Sequence, residues 1–87
     1  MATVWIPSLM RELTEGRQTV EVEGSTVRQV IRNLEVAFPG IRARLCTGDE
    51  LATHINVAVD GIVTRMGMLE RVQPDSEVHF LPAVSGG

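Results

Sequence analysis

The C-terminal end of this chain carries the group whose position most suggests chemistry. The chain finishes with Gly86-Gly87 after an apolar stretch, and no charged side chain follows Glu77. Glycine has no Cβ, so a Gly-Gly end can adopt backbone angles that other residues avoid and can thread a narrow channel. The reactive group at its tip is the α-carboxylate of Gly87. If the terminus does chemistry, that chemistry is activation of this carboxylate; the alternative is an end without a role.

The remaining side chains that could react do not form a catalytic set. Cys46 is the single cysteine, and a thiol without a nearby histidine is more often a small packing residue than a nucleophile. His54 and His79 lack acidic or cysteine neighbours at ligand spacing, so we expect surface or sheet-edge histidines and no metal. No glycine-rich phosphate loop joins a strand to a helix. The chain is therefore predicted to catalyse nothing, to bind no cofactor and to act as a carrier and substrate.

Length and composition restrict the class of protein further. The 87 residues suit one small domain, and the net charge of −3 without a basic stripe or tyrosine argues against nucleic-acid binding. No apolar run approaches the roughly 18 residues of a membrane span. The start has no basic region typical of a signal peptide, and a lone cysteine fits a cytoplasmic protein. All positive charge is arginine, so the chain cannot build polymers on its own lysines.

Alternating apolar and polar residues predict the strands. We expect strands at Thr3–Pro7, Thr19–Glu23, Ile55–Val59, Ile62–Thr64 and Glu77–Leu81. Asp60-Gly61 is a tight-turn dipeptide between the third and fourth of these strands. In the connector that follows, Leu69 is expected to close the edge of the core.

One long helix is predicted over Thr26–Phe38. Thr26 is a suitable N-cap, Gln29 completes a capping box, and Pro39-Gly40 ends the helix. An apolar stripe at helical spacing comprises Val27, Val30, Ile31, Leu34 and Phe38. We expect this stripe to pack on Val4, Ile6, Val57, Val78 and Phe80. Segment 41–53 is expected to be irregular, with a short helical turn near Arg42–Leu45.

This order of elements predicts an α+β fold in which one main helix packs across one face of a sheet. Trp5 and Leu81 are out of phase with the core-facing residues of their strands and should lie on the opposite, open face. A large aromatic side chain on an open face is typical of a partner anchor. We therefore expect Trp5 and Leu81 to dock a partner, with Val59 at the rim. The alternative is that segment 41–53 covers Trp5.

Several short stretches, taken in order, resemble one family. They are Val4-Trp5-Ile6-Pro7, Gly24-Ser25-Thr26-Val27, Phe38-Pro39-Gly40-Ile41, Ile55-Asn56-Val57-Ala58-Val59-Asp60-Gly61, Asp75-Ser76-Glu77-Val78 and Pro82-Ala83-Val84-Ser85-Gly86-Gly87. Together they are similar to the MoaD/ThiS family of small sulfur-carrier proteins. The resemblance implies a ubiquitin-like β-grasp domain with a mixed sheet over residues 1–82, followed by a flexible Gly-Gly tail over residues 83–87.

The resemblance also implies a function. A partner enzyme would use ATP to adenylate Gly87, which would then become a thiocarboxylate, while Val84, Ser85 and Gly86 thread the partners' active sites. Family members differ in the acceptor of the sulfur, and this chain looks closest to the CysO-type carriers of cysteine biosynthesis. The acceptor enzyme would then be a cysteine synthase or, in the other branch considered, the molybdopterin synthase large subunit.

Two alternatives to a sulfur carrier stay open at this point. A ubiquitin-like protein modifier, attached to targets through its C-terminal glycine, would use the same activation step. A ubiquitin-like binding module would have an inert tail and would need no free Gly-Gly end.

Overall fold

The structure is a computed structural model, and it describes residues 1–82. The predicted flexible tail over residues 83–87 lies outside the described residues and stays a prediction. The strands are β1 (Ala2–Trp5), β2 (Thr19–Val22), β3 (Cys46–Thr47), β4 (Glu50–Leu51), β5 (Ile55–Val59), β6 (Ile62–Val63) and β7 (Glu77–Pro82). The helices are α1 (Val27–Ala37) and α2 (Ile41–Leu45), and 3₁₀ segments cover Ser8–Thr14 and Gly67–Leu69.

Five of the strands form one mixed sheet in the order β2-β1-β7-β5-β6, and β3 pairs with β4 separately. The first and last strands lie side by side in parallel, with Val4 opposite Val78 and Trp5 opposite His79. The other pairs in this sheet are antiparallel. The fold is therefore an α+β arrangement with a mixed sheet and one main helix, as predicted from the sequence.

The core lies between α1 and one face of the sheet. Val27, Val30, Ile31 and Leu34 are each 0 % exposed. They cluster with all five of the sheet residues expected to meet them, which are Val4, Ile6, Val57, Val78 and Phe80. Phe38 contacts this cluster but is only partly buried, because it is the C-cap residue beyond the last turn of the helix.

Local hydrogen bonds explain where the helices begin. The Thr26 hydroxyl accepts from the N–H of Gln29 at 3.2 Å, which confirms the predicted N-cap. The Gln29 side chain accepts in return from the N–H of Ser25 at 2.9 Å, one residue earlier than in the standard capping box. At the start of α2, Glu35 accepts from the N–H groups of Arg42 and Gly40. These two bonds, the one from Arg42 above all, lower the pKa of Glu35.

The structure differs from the sequence predictions in three places. The segment Ser8–Thr14 forms a 3₁₀ helix that buries Met10 and Thr14, although no periodicity marked it. Segment 41–53 contains the β3–β4 pair as well as the expected helical turn. The prediction for Leu69 was wrong: it is 62 % exposed, and its neighbour Met68 joins the core instead. The short 3₁₀ turn directs only one of these adjacent side chains inward, and composition does not indicate which.

Truncating Leu34 tests the packing of α1 on the sheet. Leu34→Ala should lower the free energy of unfolding by ~2–5 kcal/mol, because a fully buried leucine loses its contacts and leaves a cavity. Val36→Ala, at a helix position that is 79 % exposed, is the matched control and should change little. Urea unfolding of both variants measures the difference. Equal stabilities would contradict the assigned core.

Candidate functional site

The predicted carrier tail leaves the domain from the central strand of the sheet. β7 pairs with β5 along its length, and its last residue, Pro82, lies opposite Ile55. Strand pairing therefore fixes the chain up to the residue before the tail. Residues 83–87 can extend at most about 17 Å beyond this point, so any chemistry at Gly87 takes place within that distance of the end of β7.

The other end of β7 is anchored by Asp60. Its carboxylate accepts from the N–H of Glu77 at 2.9 Å and from the hydroxyl of buried Ser76 at 2.7 Å. The N–H of Asp60 in turn donates to the carbonyl of Glu77 at 2.8 Å. The backbone bond from Glu77 first, and then the Ser76 hydroxyl, lower the pKa of Asp60. Asp60 has a φ of 52°, a left-handed angle that Asp and Asn tolerate better than most residues.

Trp5 and Leu81 lie on the outer face of the sheet, opposite to α1, and each is 37 % exposed. The Trp5 ring stacks on His79, with ring centroids 5.1 Å apart and an interplanar angle of 10°. Its Nε1 donates to the Glu77 carboxylate at 3.0 Å. The stacking partner of Trp5 thus comes from the neighbouring parallel strand and not from segment 41–53. The indole is fixed in orientation but still accessible to a partner.

Val59, expected at the rim of this outer face, is placed elsewhere by the structure. It lies opposite Val78 and packs, partly buried, against the core on the α1 side of the sheet. Val63 pairs with Ala58, which lies opposite His79, and Val63 is therefore the exposed apolar residue on the outer face. The sequence signal was available: a two-residue turn at Asp60-Gly61 pairs position 58 with 63, which puts both on one face.

A groove of about 430 Å³ opens where β7 ends. Its walls come from the end of β1 and the following 3₁₀ segment on one side, and from the start of β5 on the other. It is lined by Trp5, Ile6, Pro7, Ser8, Leu9, Met10, Arg11, Arg44, His54, Ile55, His79, Phe80, Leu81 and Pro82. Most of these side chains are apolar, two are arginines and none is a carboxylate. Sequence reasoning did not identify this groove, because it depends on the unpredicted 3₁₀ segment.

The remaining candidates are placed as follows. Cys46 is buried in β3, and burial raises the pKa of its thiol, so it is protonated near neutral pH. His54 is exposed and lines the groove, and His79 is the stacking partner of Trp5.

Across residues 1–82, no three His, Cys, Asp or Glu side chains converge as a metal site would require. In the same part of the chain, no helix is long and apolar enough to cross a membrane.

Comparison with known proteins identifies the family. The family model described as ThiS family matches residues 4–87. The chain belongs to the ThiS family. The match includes the Gly-Gly end as well as the folded domain, so it covers the residues on which the predicted chemistry depends.

The relatives agree with this assignment. The sulfur carrier protein CysO of Mycobacterium tuberculosis is 33 % identical over 90 residues, covering 98 % of this chain and 97 % of the relative. The small archaeal modifier protein 3 of Haloferax volcanii is 33 % identical over 67 residues, covering 75 % and 73 %. A chain of the crystal structure of the Amycolatopsis orientalis BexX/CysO complex superposes with a TM-score of 0.91, with 37 % identity and complete coverage of both chains. These findings confirm the ubiquitin-like β-grasp fold and a protein of the sulfur-carrier type.

The anchor at Asp60 leads to a prediction about pH. The folded-state pKa of Asp60 is below its ordinary value. The ionised carboxylate therefore stabilises the fold at pH values above that ordinary value, and this stabilisation is lost as the pH falls through the folded-state pKa. Asp60→Asn keeps the left-handed backbone but removes the charge that accepts two hydrogen bonds. We expect this variant to be less stable at pH 7 and to lose less stability on acidification than the parent.

Urea unfolding at a series of pH values down to about 2 measures this difference, since the ordinary Asp pKa is about 3.9. Asp75→Asn, in the exposed turn just before β7, is the control and should follow the parent profile. If the stability profiles of Asp60→Asn and the parent ran parallel, the carboxylate would not anchor β7.

Proposed function

We propose that this protein carries sulfur as a thiocarboxylate at Gly87, after a partner enzyme has adenylated the C-terminal carboxylate with ATP. The observation that carries the proposal is that the ThiS family match runs through residue 87, so that the Gly-Gly end belongs to the matched pattern. The CysO relatives, which are named as sulfur carriers, support the same chemistry. The placement of β7 also supports it, because the tail starts at the end of a central strand beside an accessible apolar face.

The chemistry explains why activation is needed. A carboxylate is a poor acyl donor, since its leaving group would be an oxide. Attack of the Gly87 carboxylate on the α-phosphorus of ATP releases pyrophosphate and forms an acyl adenylate. A sulfur nucleophile, sulfide or an enzyme persulfide, then attacks the acyl carbon, and AMP leaves. With sulfide the product is the thiocarboxylate directly; with a persulfide, reductive cleavage of the sulfur–sulfur bond by a thiol completes it.

The carrier itself supplies recognition in this scheme. Val84, Ser85 and Gly86 thread the narrow active sites of the partners, and the outer face docks the enzyme that activates Gly87. Trp5 and Leu81 would anchor this enzyme, and Val63 replaces Val59 as the third apolar contact. Neither the carrier nor its tail binds a cofactor of its own; ATP is bound by the activating partner. Because that step consumes ATP, we expect it in the cytoplasm.

The acceptor is proposed from the relatives. The CysO relatives favour the cysteine branch, in which a cysteine synthase would receive the sulfur, over the molybdopterin synthase large subunit. The solved BexX/CysO complex shows that a protein of this kind binds a separate protein chain. We therefore propose at least two partners for this chain, an adenylating enzyme and an acceptor enzyme.

A second candidate function is protein modification. The Haloferax volcanii relative is named as a small archaeal modifier protein, and conjugation would begin with the same adenylation. This chain has no lysine, so it could be joined to lysines of other proteins but could not form polymers on itself through lysine side chains.

Mass spectrometry of the intact protein tests the carrier function. Mixed with an adenylating enzyme, ATP and sulfide, the protein should gain the mass difference of one oxygen-to-sulfur exchange, located at Gly87. Deletion of Gly87 should abolish the exchange, because the shortened end falls about 3.3 Å short of the reacting centre and a misplacement of even about 1 Å can cost a hundredfold in rate. Cys46→Ser should behave like the parent, since the sulfur is carried by the terminus.

The products distinguish the two candidates. A thiocarboxylate that is consumed by a small-molecule acceptor, with no protein adducts in cell extract, supports the carrier. Adducts on lysine-bearing proteins would support the modifier. No mass change with any adenylating enzyme of the family would contradict both and would favour a binding module with an inert tail.

Docking on the outer face is tested separately from the chemistry. Leu81→Glu should weaken binding of the adenylating enzyme, because it places a charge in the apolar contact, while leaving the domain folded. Val36→Glu adds the same charge at an exposed position of α1 and should bind normally. Calorimetric titration of each variant gives the affinities. Equal affinities would place the anchor on a different surface.

A further inference from the structure

Three arginine side chains meet on the helix side of the molecule, away from the outer face. Arg28 and Arg32 lie on α1, and Arg42 lies on α2. Together with Asp49 and the buried Met68 they line a cavity of about 130 Å³, which we call the arginine cavity. The chain as a whole has a net charge of −3, so the convergence of three cations at one place runs against its composition.

The chain itself does not neutralise these cations. Arg28 and Arg32 are four residues apart on α1, so they lie on one face of the helix and repel each other. Neither forms an ion pair with another side chain of residues 1–82. Arg42 has the carboxylate of Asp49 nearby, but at 3.8 Å, with the Asp49 side chain 93 % exposed. Such a surface pair contributes little.

Glu35 is the acidic residue of α1 that could have paired with Arg32, since it follows three residues later. Its carboxylate instead accepts from the N–H groups of Gly40 and Arg42, where it fixes the start of α2. The acidic side chain that the helix offers is therefore committed to the backbone. The groups that line the arginine cavity, three guanidinium groups and one carboxylate, carry a net charge of +2.

The donors of this cavity suit a phosphate group. Nη2 of Arg42 donates to the carbonyl of Gly48 at 3.0 Å, which holds the guanidinium group in place and uses one of its five N–H donors. The others are available to a ligand. A carboxylate offers two oxygens and one charge, whereas a phosphate monoester offers three oxygens and a charge of about −1.5 to −2 at pH 7. The guanidinium fork also matches phosphate oxygens in geometry.

A second cavity adjoins the first and suits an apolar body. Its volume is about 380 Å³, and it shares Arg28, Asp49 and Met68 with the arginine cavity. Met66 and Leu69 also line it and are 58 % and 62 % exposed. The remaining lining residues are Glu50, Leu51, Arg65 and Gly67. The added carboxylate is thus matched by an added arginine, and methionine, being unbranched and polarizable, adapts to ligands of different shapes.

We propose that Arg28, Arg32 and Arg42 bind a doubly charged oxyanion of the phosphate type, either free or as the head group of a small molecule. In the second case the apolar body of the molecule lies against Met66 and Leu69. The site does not overlap with the outer face, because α1 covers the opposite face of the sheet. It rests on none of the observations that support sulfur transfer, so it stands or falls separately from the proposed function.

A titration with inorganic phosphate tests the site, with chloride used to keep the ionic strength constant. In NMR spectra, the Nε–H signals of the three arginines should shift together and saturate with one dissociation constant. The signal of Arg17, which is exposed and lines neither cavity, should not follow them. Shifts that do not saturate, or that are equal at Arg17, would show general attraction of anions to arginine and would overturn the proposal.

Charge variants test the contact itself. Arg32→Gln should weaken phosphate binding by about tenfold or more, because a hydrogen bond between charged groups is lost. Glutamine and arginine have similar helix propensities, so the variant should fold, which its melting temperature without phosphate verifies. Arg17→Gln removes the same charge and should bind phosphate like the parent. Equal affinities of Arg32→Gln and Arg17→Gln would contradict the assigned site.

Phenyl phosphate distinguishes the two sources of the oxyanion. Binding at least about tenfold tighter than inorganic phosphate, with a shift of the Met66 methyl signal, would support a phosphorylated small molecule as the ligand. Equal affinities without that shift would support the free oxyanion. Phenol, which has the same body without the charge, should not bind. If phenol bound as tightly as phenyl phosphate, the arginines would contribute nothing and the proposal would be overturned.

Discussion

The structure depends on the parallel pairing of β1 with β7 at the centre of the sheet. Parallel neighbours need a long connection between them, and here almost the whole chain forms it. The main helix lies within this connection and covers one face of the sheet. The same pairing puts Trp5 beside His79. The antiparallel pairing of β7 with β5 on its other side keeps the chain paired until Pro82. The two registers of β7 together determine where the tail starts and which side chains form the outer face.

The sequence was sufficient for the elements with strong periodicity. The apolar stripe of α1 and the alternation in β5 and β7 have unambiguous inward faces, and the structure confirms both. Short segments without a repeat were less predictable. Ser8–Thr14 has no period of two or 3.6, yet it buries Met10 and builds a groove wall. Leu69 and Met68 are adjacent and both apolar, and only the geometry of a single 3₁₀ turn decides which one is buried.

The candidate functional site, like the fold, could be predicted only in part from the sequence. The tail was predicted from its glycines and from the family resemblance, a signal that is local in sequence, and it lies outside the described residues. The outer face needed strand phase, which was right for Trp5 and Leu81; the same period of two puts Val59 on the core side with Val57, so placing Val59 at the rim of the outer face was wrong. The Trp5–His79 stack joins residues that are far apart in the chain. Such contacts follow from the register of the sheet, which no short stretch of sequence encodes.

The division of labour between domain and tail follows from size. A chain of 87 residues has little room for a cleft that could activate a carboxylate, so the proposed reaction would take place inside a larger partner. What the domain can supply is a rigid position from which the tail starts and a surface that selects the partner. For the proposed chemistry, the tail would have to be narrow, which glycine allows, and reachable by more than one enzyme. For the proposed carrier, Trp5 and Leu81 on the outer face would select the enzyme whose active site receives Gly87, so that the domain provides recognition and the tail provides the reacting group.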